Sequence, residues 1–169
     1  MEIYGDFQCP DTKAAWLSVI DPLIRQHGDH LSIVFHPFPL PYHHSAFDAA
    51  QAAMYIAAEL PDLPFANVAS ALFHVQESYQ TDATANISQR TVFSEKLAPV
   101  AVHLGIAKSA FGAHMRNSDT SNHQARVAWK YGAARGVYGT PTFAIDGVID
   151  GALAAWSLED WESWLATPP

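Results

Sequence analysis

The chain has 169 residues, 49% of them hydrophobic and 12% aromatic, and a formal net charge of −8. That length and composition suit one domain with a substantial core and exclude a disordered chain. The acid excess, with nine Lys and Arg that form no cluster, argues against nucleic acid or an anionic membrane as partner, and no apolar run approaches the roughly 18 residues of a membrane span.

Ile3 to Phe7 reads as a strand. From Pro10 to about His27, apolar residues at Ala14, Ala15, Trp16, Leu17, Val19, Ile20, Leu23 and Ile24 form a wide helical face, which Pro22 should kink or split and Gly28 should stop. Leu31 to Phe38 reads as a buried strand, completing a βαβ unit with parallel strands and a right-handed crossover. Pro37, Pro39 and Pro41 end that strand in an extended run. Helices follow at His44 to Leu60, Phe65 to Tyr79 and Ile87 to about Leu104, the last disturbed by Pro99. Ser109 is placed to cap a short helix through Met115, and Asp119 to Ala134 forms another, ended by Gly136. Thr142 to Ile145 and Val148 to Asp150 pair across an Asp146-Gly147 turn. Ser157 should cap the final helix with Asp160 answering it, and Trp156, Trp161 and Trp164 should dock that helix on the sheet. The order β-α-β, helical block, β-β-α implies one α/β domain with helices inserted in its middle.

Two stretches carry chemistry. Cys9 is the only cysteine, so an intrachain disulfide and a cysteine-rich metal site are excluded. It stands between strand and helix, and Pro10 follows at the position where a helix best accepts proline. Cys9 therefore sits at or beside the helix N-cap. There the free N–H groups and the helix dipole favour an anion, so a thiolate should form more readily than in a free cysteine. Lys13 adds to this and Asp11 opposes it. A lone cysteine is equally a small buried residue. The second stretch is Gly139-Thr140-Pro141-Thr142: a proline opening a central strand is resolved by a cis Thr140–Pro141 bond in a tight turn, or by a trans proline at the first strand position.

Other residues have plainer readings. Asp6 is read as a strand-edge carboxylate rather than a proton relay to the sulfur. Trp16 and Trp129 are read as core. His36, His43 and His44 invite a metal, but adjacent residues on a helix do not share a face and no acidic ligand completes a known spacing, so none is assigned. The segment Met1-Glu2-Ile3-Tyr4 has no basic region, so the chain as given shows no export signal. That fits the cytoplasm, or the periplasm for a mature or trimmed chain.

The motifs DFQCP, FHPFPLPYHHSAFDAAQAA, HLGIAKSAFGAHM and GVYGTPTFAIDG, in this order along the whole chain, resemble the DsbA-like branch of the thioredoxin superfamily. The resemblance implies an α/β thioredoxin-like fold, with residues 1–42 and 119–169 as the core and 43–118 as an inserted helical domain. It makes Cys9 the nucleophile at the head of its helix, beside Pro10, and Thr140 and Pro141 the loop where a substrate backbone adds as a strand. This chain departs from the family's Cys-x-x-Cys motif: Thr12 stands at the place of the resolving thiol. It implies a monothiol thiol–disulfide oxidoreductase, with Thr12 donating a hydrogen bond to the thiolate. A thiol- or disulfide-containing protein or peptide is its partner, with no cofactor beyond glutathione as co-substrate. Two alternatives share the fold. One is a glutathione-dependent isomerase or transferase of the kappa or chromene-carboxylate isomerase type, which uses serine where Cys9 stands. The other is a non-catalytic peptide-binding module. Oligomeric state is left open by the sequence.

Overall fold

The computed structural model describes residues 1–117 and 119–166. Ser118, at the expected end of the insertion, and residues 167–169, at the end of the expected core, lie outside them.

Strands β1 (Glu2–Gly5), β2 (Val34–Pro37), β3 (Thr142–Ile145) and β4 (Val148–Ile149) form one sheet in the order β2-β1-β3-β4. β1 runs parallel to β2 and antiparallel to β3, and β3 is antiparallel to β4. The pleat divides the side chains between two faces. Ile3 lies opposite Phe35 and Phe143, and Tyr4 opposite His36 and Thr142. The first face packs on α1 (Pro10–Ala15), α2 (Asp21–His27) and the terminal α10 (Leu158–Ala166). Trp161, 1% exposed, is the wedge there, against Phe143 with Trp156 and Trp164 at its edges. The second face is covered by α9 (Asp119–Ala134), around Tyr4, Phe38, Leu40, Val137 and Ala144. Between β2 and α9 the chain builds α3 (Ala46–Glu59), α4 (Phe65–His74), α5 (Thr81–Thr84), α6 (Gln89–Thr91), α7 (Ala98–His103) and α8 (Lys108–Arg116).

Pro22 does not split its helix. α1 passes into a π-turn, Trp16–Ile20, before α2. The Asp21 N–H reaches back five residues to Trp16 O, and this wider turn seats a ring that has no N–H to give. The same device precedes Pro99: Val92–Leu97 is a π-turn whose end closes from Ala98 N–H to Phe93 O.

Leu31 to Phe38 is not a buried strand. β2 lies at the sheet edge and Val34 is 47% exposed. The edge explains the prolines. In a parallel pair alternate N–H groups point at the neighbour. Phe38 N–H donates to Gly5 O (2.8 Å) and Leu40 N–H to Asp6 Oδ2 (2.8 Å), while Pro37, Pro39 and Pro41 occupy the positions that face away.

Three further expectations change. The helix from Phe65 stops at His74, and Gln76–Tyr79 continues as a 3-10 turn. Ser109 lies inside α8, whose N-cap is Ala107. Trp129 is 40% exposed rather than core, because α9 turns it outward over the ring of Phe38. The end of α9 follows the glycine rule: Gly136 has φ of 82°, Val137 N–H reaches Gly132 O and Gly136 N–H reaches Ala133 O. Asp146 and Gly147 both adopt positive φ, 48° and 82°, as the two-residue hairpin requires. Ser157 and Asp160 cap α10 reciprocally.

Candidate active site

Cys9 is the N-cap of α1, with extended backbone (φ −71°, ψ 122°) and Pro10 following. Its N–H closes a turn onto Asp6 O (3.1 Å), and its carbonyl accepts the Lys13 N–H (3.1 Å). The thiol is buried, 4% exposed, and its S–H donates to Thr140 O at 3.3 Å. The Thr140–Pro141 bond is cis. The fold thus joins Cys9 to a loop 131 residues away, where Pro141 leads directly into β3. Pro10 is exposed, Thr140 and Pro141 are half-buried, and Tyr138 on the same loop is 94% exposed.

Thr12 lies one turn into α1 and is 1% exposed. Its methyl and the Phe35 ring fill the space over Gly5, where an added Cβ would lie 2.9 and 2.5 Å from them. Its hydroxyl makes no bond to Cys9: among the described residues, Thr12 Oγ1 and Thr140 Oγ1 are both buried without a hydrogen-bond partner. Lys13 is not turned to the sulfur either. It pairs with Glu77, and that hydrogen bond holds the Glu77 carboxyl below its usual range.

The Cys9 turn is clamped by residues that sequence reasoning missed. Gln76 Nε2 donates to Phe7 O (2.9 Å) and Cys9 O (3.0 Å). The Tyr79 hydroxyl lies between Phe7 O (3.2 Å) and Leu72 O (3.0 Å). Gln8 Nε2 donates to Tyr79 O, and Gln8 Oε1 accepts the Ser45 N–H (2.7 Å). Gln8, Gln76 and Tyr79 are all buried. Burial, then the charges of Asp6 and Glu77, push the Tyr79 phenol well above its ordinary value, so it stays a donor. The break at His74 matters here, since the tighter 3-10 turn carries both Gln76 and Tyr79 onto the Cys9 turn. No local signal near Cys9 points to a residue 67 positions away.

Asp6 corrects its reading as a strand-edge carboxylate. It is 1% exposed. Oδ1 accepts the Gln8 N–H (2.7 Å), and Oδ2 meets the Leu40 N–H (2.8 Å) and Nδ1 of His43 (2.7 Å). Burial raises its carboxyl above the ordinary value, and these three partners oppose the rise without cancelling it. A buried acid with a histidine partner therefore sits three residues before the thiol.

The other histidines diverge. His36 stacks on Tyr4 (centroids 4.7 Å apart) with Nε2 3.0 Å from Glu2 Oε2, and burial lowers its pKa. His44 Nδ1 faces Thr84 Oγ1 at 3.2 Å. Among the described residues no group of three or more His, Cys, Asp or Glu is placed to hold a metal, and no helix is long and apolar enough to cross a membrane.

Solved structures share this architecture. A candidate protein-disulfide isomerase from Pseudomonas syringae superposes with a TM-score of 0.73 at 18% identity, over 96% of this chain and 90% of its own. MdbA, a thiol-disulfide oxidoreductase from Actinomyces oris, gives 0.72 at 17% identity, over 99% and 78%. The thiol-disulfide exchange protein alpha-DsbA2 from Wolbachia pipientis gives 0.65 at 17% identity, over 88% and 70%. No functionally curated protein matches the sequence. Residues 1–164 match the model of one family, and with the thiol at the helix N-cap facing a cis-proline loop, the chain belongs to the DSBA-like thioredoxin domain family.

Proposed function

We propose that the chain is a thiol–disulfide oxidoreductase that works through the single thiol of Cys9. Family membership supports the reaction class, and the structural neighbours named for thiol–disulfide chemistry support it as well. The observation that carries it is the placement of Cys9 Sγ at the N-cap of α1, 3.3 Å from Thr140 O. The contact to Thr140 uses the thiol proton, so it opens when the sulfur reacts. The thiolate then attacks one sulfur of a substrate disulfide, forming a Cys9–substrate disulfide. The second substrate sulfur leaves as a thiolate and takes a proton. With Thr12 at the resolving position, a thiol from outside the chain, glutathione or a second substrate thiol, attacks the mixed disulfide. This returns Cys9 to the thiol form and releases the oxidised product. In this reading residues 1–42 and 119–169 carry the thiol and the loop, and the 43–118 insertion clamps the thiol's turn through Gln76 and Tyr79. Thr12 Oγ1 has no other hydrogen-bond partner, which supports its role as donor to the Cys9 thiolate.

The 4% exposure of Cys9 favours a second reading, a peptide-binding module in which the thiol is structural. Incubating the reduced protein with glutathione disulfide separates the two. The oxidoreductase gives one glutathionyl adduct by intact mass, absent in Cys9→Ser and removed by added reduced glutathione. A protein that stays unmodified under conditions that modify free cysteine refutes thiol exchange.

A further inference from the structure

We propose that the cleft between α9 and the segment 39–47 is a binding site for a small organic anion with a flat aromatic body. The cleft encloses about 490 Å³, within the range of roughly 300–1,000 Å³ typical of small-molecule sites. One wall is a single face of α9. Arg126, Trp129 and Lys130 stand at spacings of three and four residues, so their side chains project together. The other wall is Leu40 with its flanking prolines, His43, and Phe47 at the start of α3.

Two features make this a site rather than a dent. The first is a fixed stacking platform. The Trp129 indole lies nearly parallel to Phe38, with an interplanar angle of 10° and centroids 5.8 Å apart. Phe38 is itself buried, 4% exposed, so the indole is backed on one side and 40% exposed in all. A large aromatic held open to solvent beside an apolar wall is the platform that a planar ligand stacks on. The second is charge. The chain carries 17 acidic side chains against nine Lys and Arg. Even so, among the described residues neither Arg126 nor Lys130 has a carboxylate within ion-pair distance. Asp6 is buried behind His43, and Asp48, whose charge acts on His44 of the cleft wall, accepts from Gln89 at 2.6 Å. Two unneutralised cations bracketing an exposed indole complement a carboxylate or sulfonate on an aromatic ring.

Cys9, Thr140 and Pro141 do not line this cleft, so occupancy does not require the thiol, and the inference stands or falls apart from the redox reading. The test is calorimetric titration of the full reduced chain with 1-naphthoate, and with 1-naphthylmethylammonium as the same ring carrying the opposite charge. Saturable one-to-one binding of the naphthoate alone is expected, retained in Cys9→Ser. An Arg126→Gln/Lys130→Gln double variant, altered only at exposed positions, should bind about tenfold more weakly or worse, the loss of one good contact or more. Trp129→Ala should weaken it further. No saturable naphthoate binding, equal binding of both charges, loss in Cys9→Ser, or indifference to the double substitution would each overturn the proposal.

Discussion

Gln76 is the residue whose replacement tests the clamp on the thiol's turn most directly. It is fully buried, and its amide serves the carbonyls of Phe7 and Cys9 at 2.9 and 3.0 Å. Gln76→Met keeps the volume and removes both donors. The size of the effect depends on what the carbonyls have left. Cys9 O still accepts the Lys13 N–H and Phe7 O still faces the Tyr79 hydroxyl, so neither is orphaned. The loss is then three net hydrogen bonds, the two to the carbonyls and the one Gln76 Oε1 accepts from Gln80 Nε2 at 3.1 Å, at about 1 ± 0.5 kcal/mol each, a total of about 1.5–4.5 kcal/mol, without the desolvation penalty of about 1–3 kcal/mol for each stranded carbonyl. For a chain of this size that lowers Tm by on the order of 3–18 °C. Adding Tyr79→Phe strands Phe7 O, so the double variant should lose about 1–3 kcal/mol more than the sum of the singles. Urea unfolding of the four proteins in parallel measures this, with unchanged slopes as the check on two-state behaviour. A single variant within about 0.5 kcal/mol of wild type, or strictly additive losses, would refute the clamp.

Local chemistry decided which parts of this protein were readable in the sequence. The strand–Cys9–Pro10–helix turn, the Asp146-Gly147 hairpin, the Ser157 cap and the Gly136 terminus are each specified by residues within a few positions, and each stands as read. Thr140–Pro141 is cis, one of the two readings the sequence leaves open. The misreadings depend on neighbours distant in sequence. Leu31 to Phe38 has the apolar run of a buried strand, and only the sheet order makes it an edge. Pro22 and Pro99 look like breaks, but a π-turn ahead of each ring absorbs it at no sequence cost that a helical pattern reveals. Asp6 reads as a strand-edge carboxylate because its partners, Leu40 N–H and His43, come from the segment after β2. Lys13 reads as a partner of the sulfur because nothing in the sequence places Glu77, its partner in the fold, beside it. Trp129 reads as core, as a large aromatic usually is, yet its ring covers Phe38 from outside.

Two further predictions concern Asp6 and a pair of helical glycines. Asp6 titrates above its ordinary 3.8, so between the two values the native state holds a proton that the unfolded chain has lost. Its stabilising contribution is full below the unfolded value and declines as pH rises through the folded one. The stability of wild type relative to Asp6→Asn should fall as pH rises above the ordinary carboxylate value of 3.8, and a gap that is constant or widens with pH counts against the raised value. The second concerns glycines, where one substitution should have opposite signs at two helical sites. At Gly112 in α8 an added Cβ meets nothing closer than the flexible Arg116 guanidinium at 3.7 Å. Gly112→Ala should stabilise by up to about 1 kcal/mol, the helix-propensity difference alone. At Gly132 in α9 the same Cβ would lie 2.7 Å from Phe38 and 3.1 Å from Tyr4. Both rings are buried between α9 and the sheet and have no room to swing aside. Overpacking of this kind costs about 1–3 kcal/mol, which outweighs a gain of about 1 kcal/mol in propensity, so Gly132→Ala should destabilise by up to about 2 kcal/mol. Paired denaturation curves read both signs at once. If Gly132→Ala were as stabilising as Gly112→Ala, α9 would not sit as closely on Tyr4 and Phe38 as its missing side chain implies.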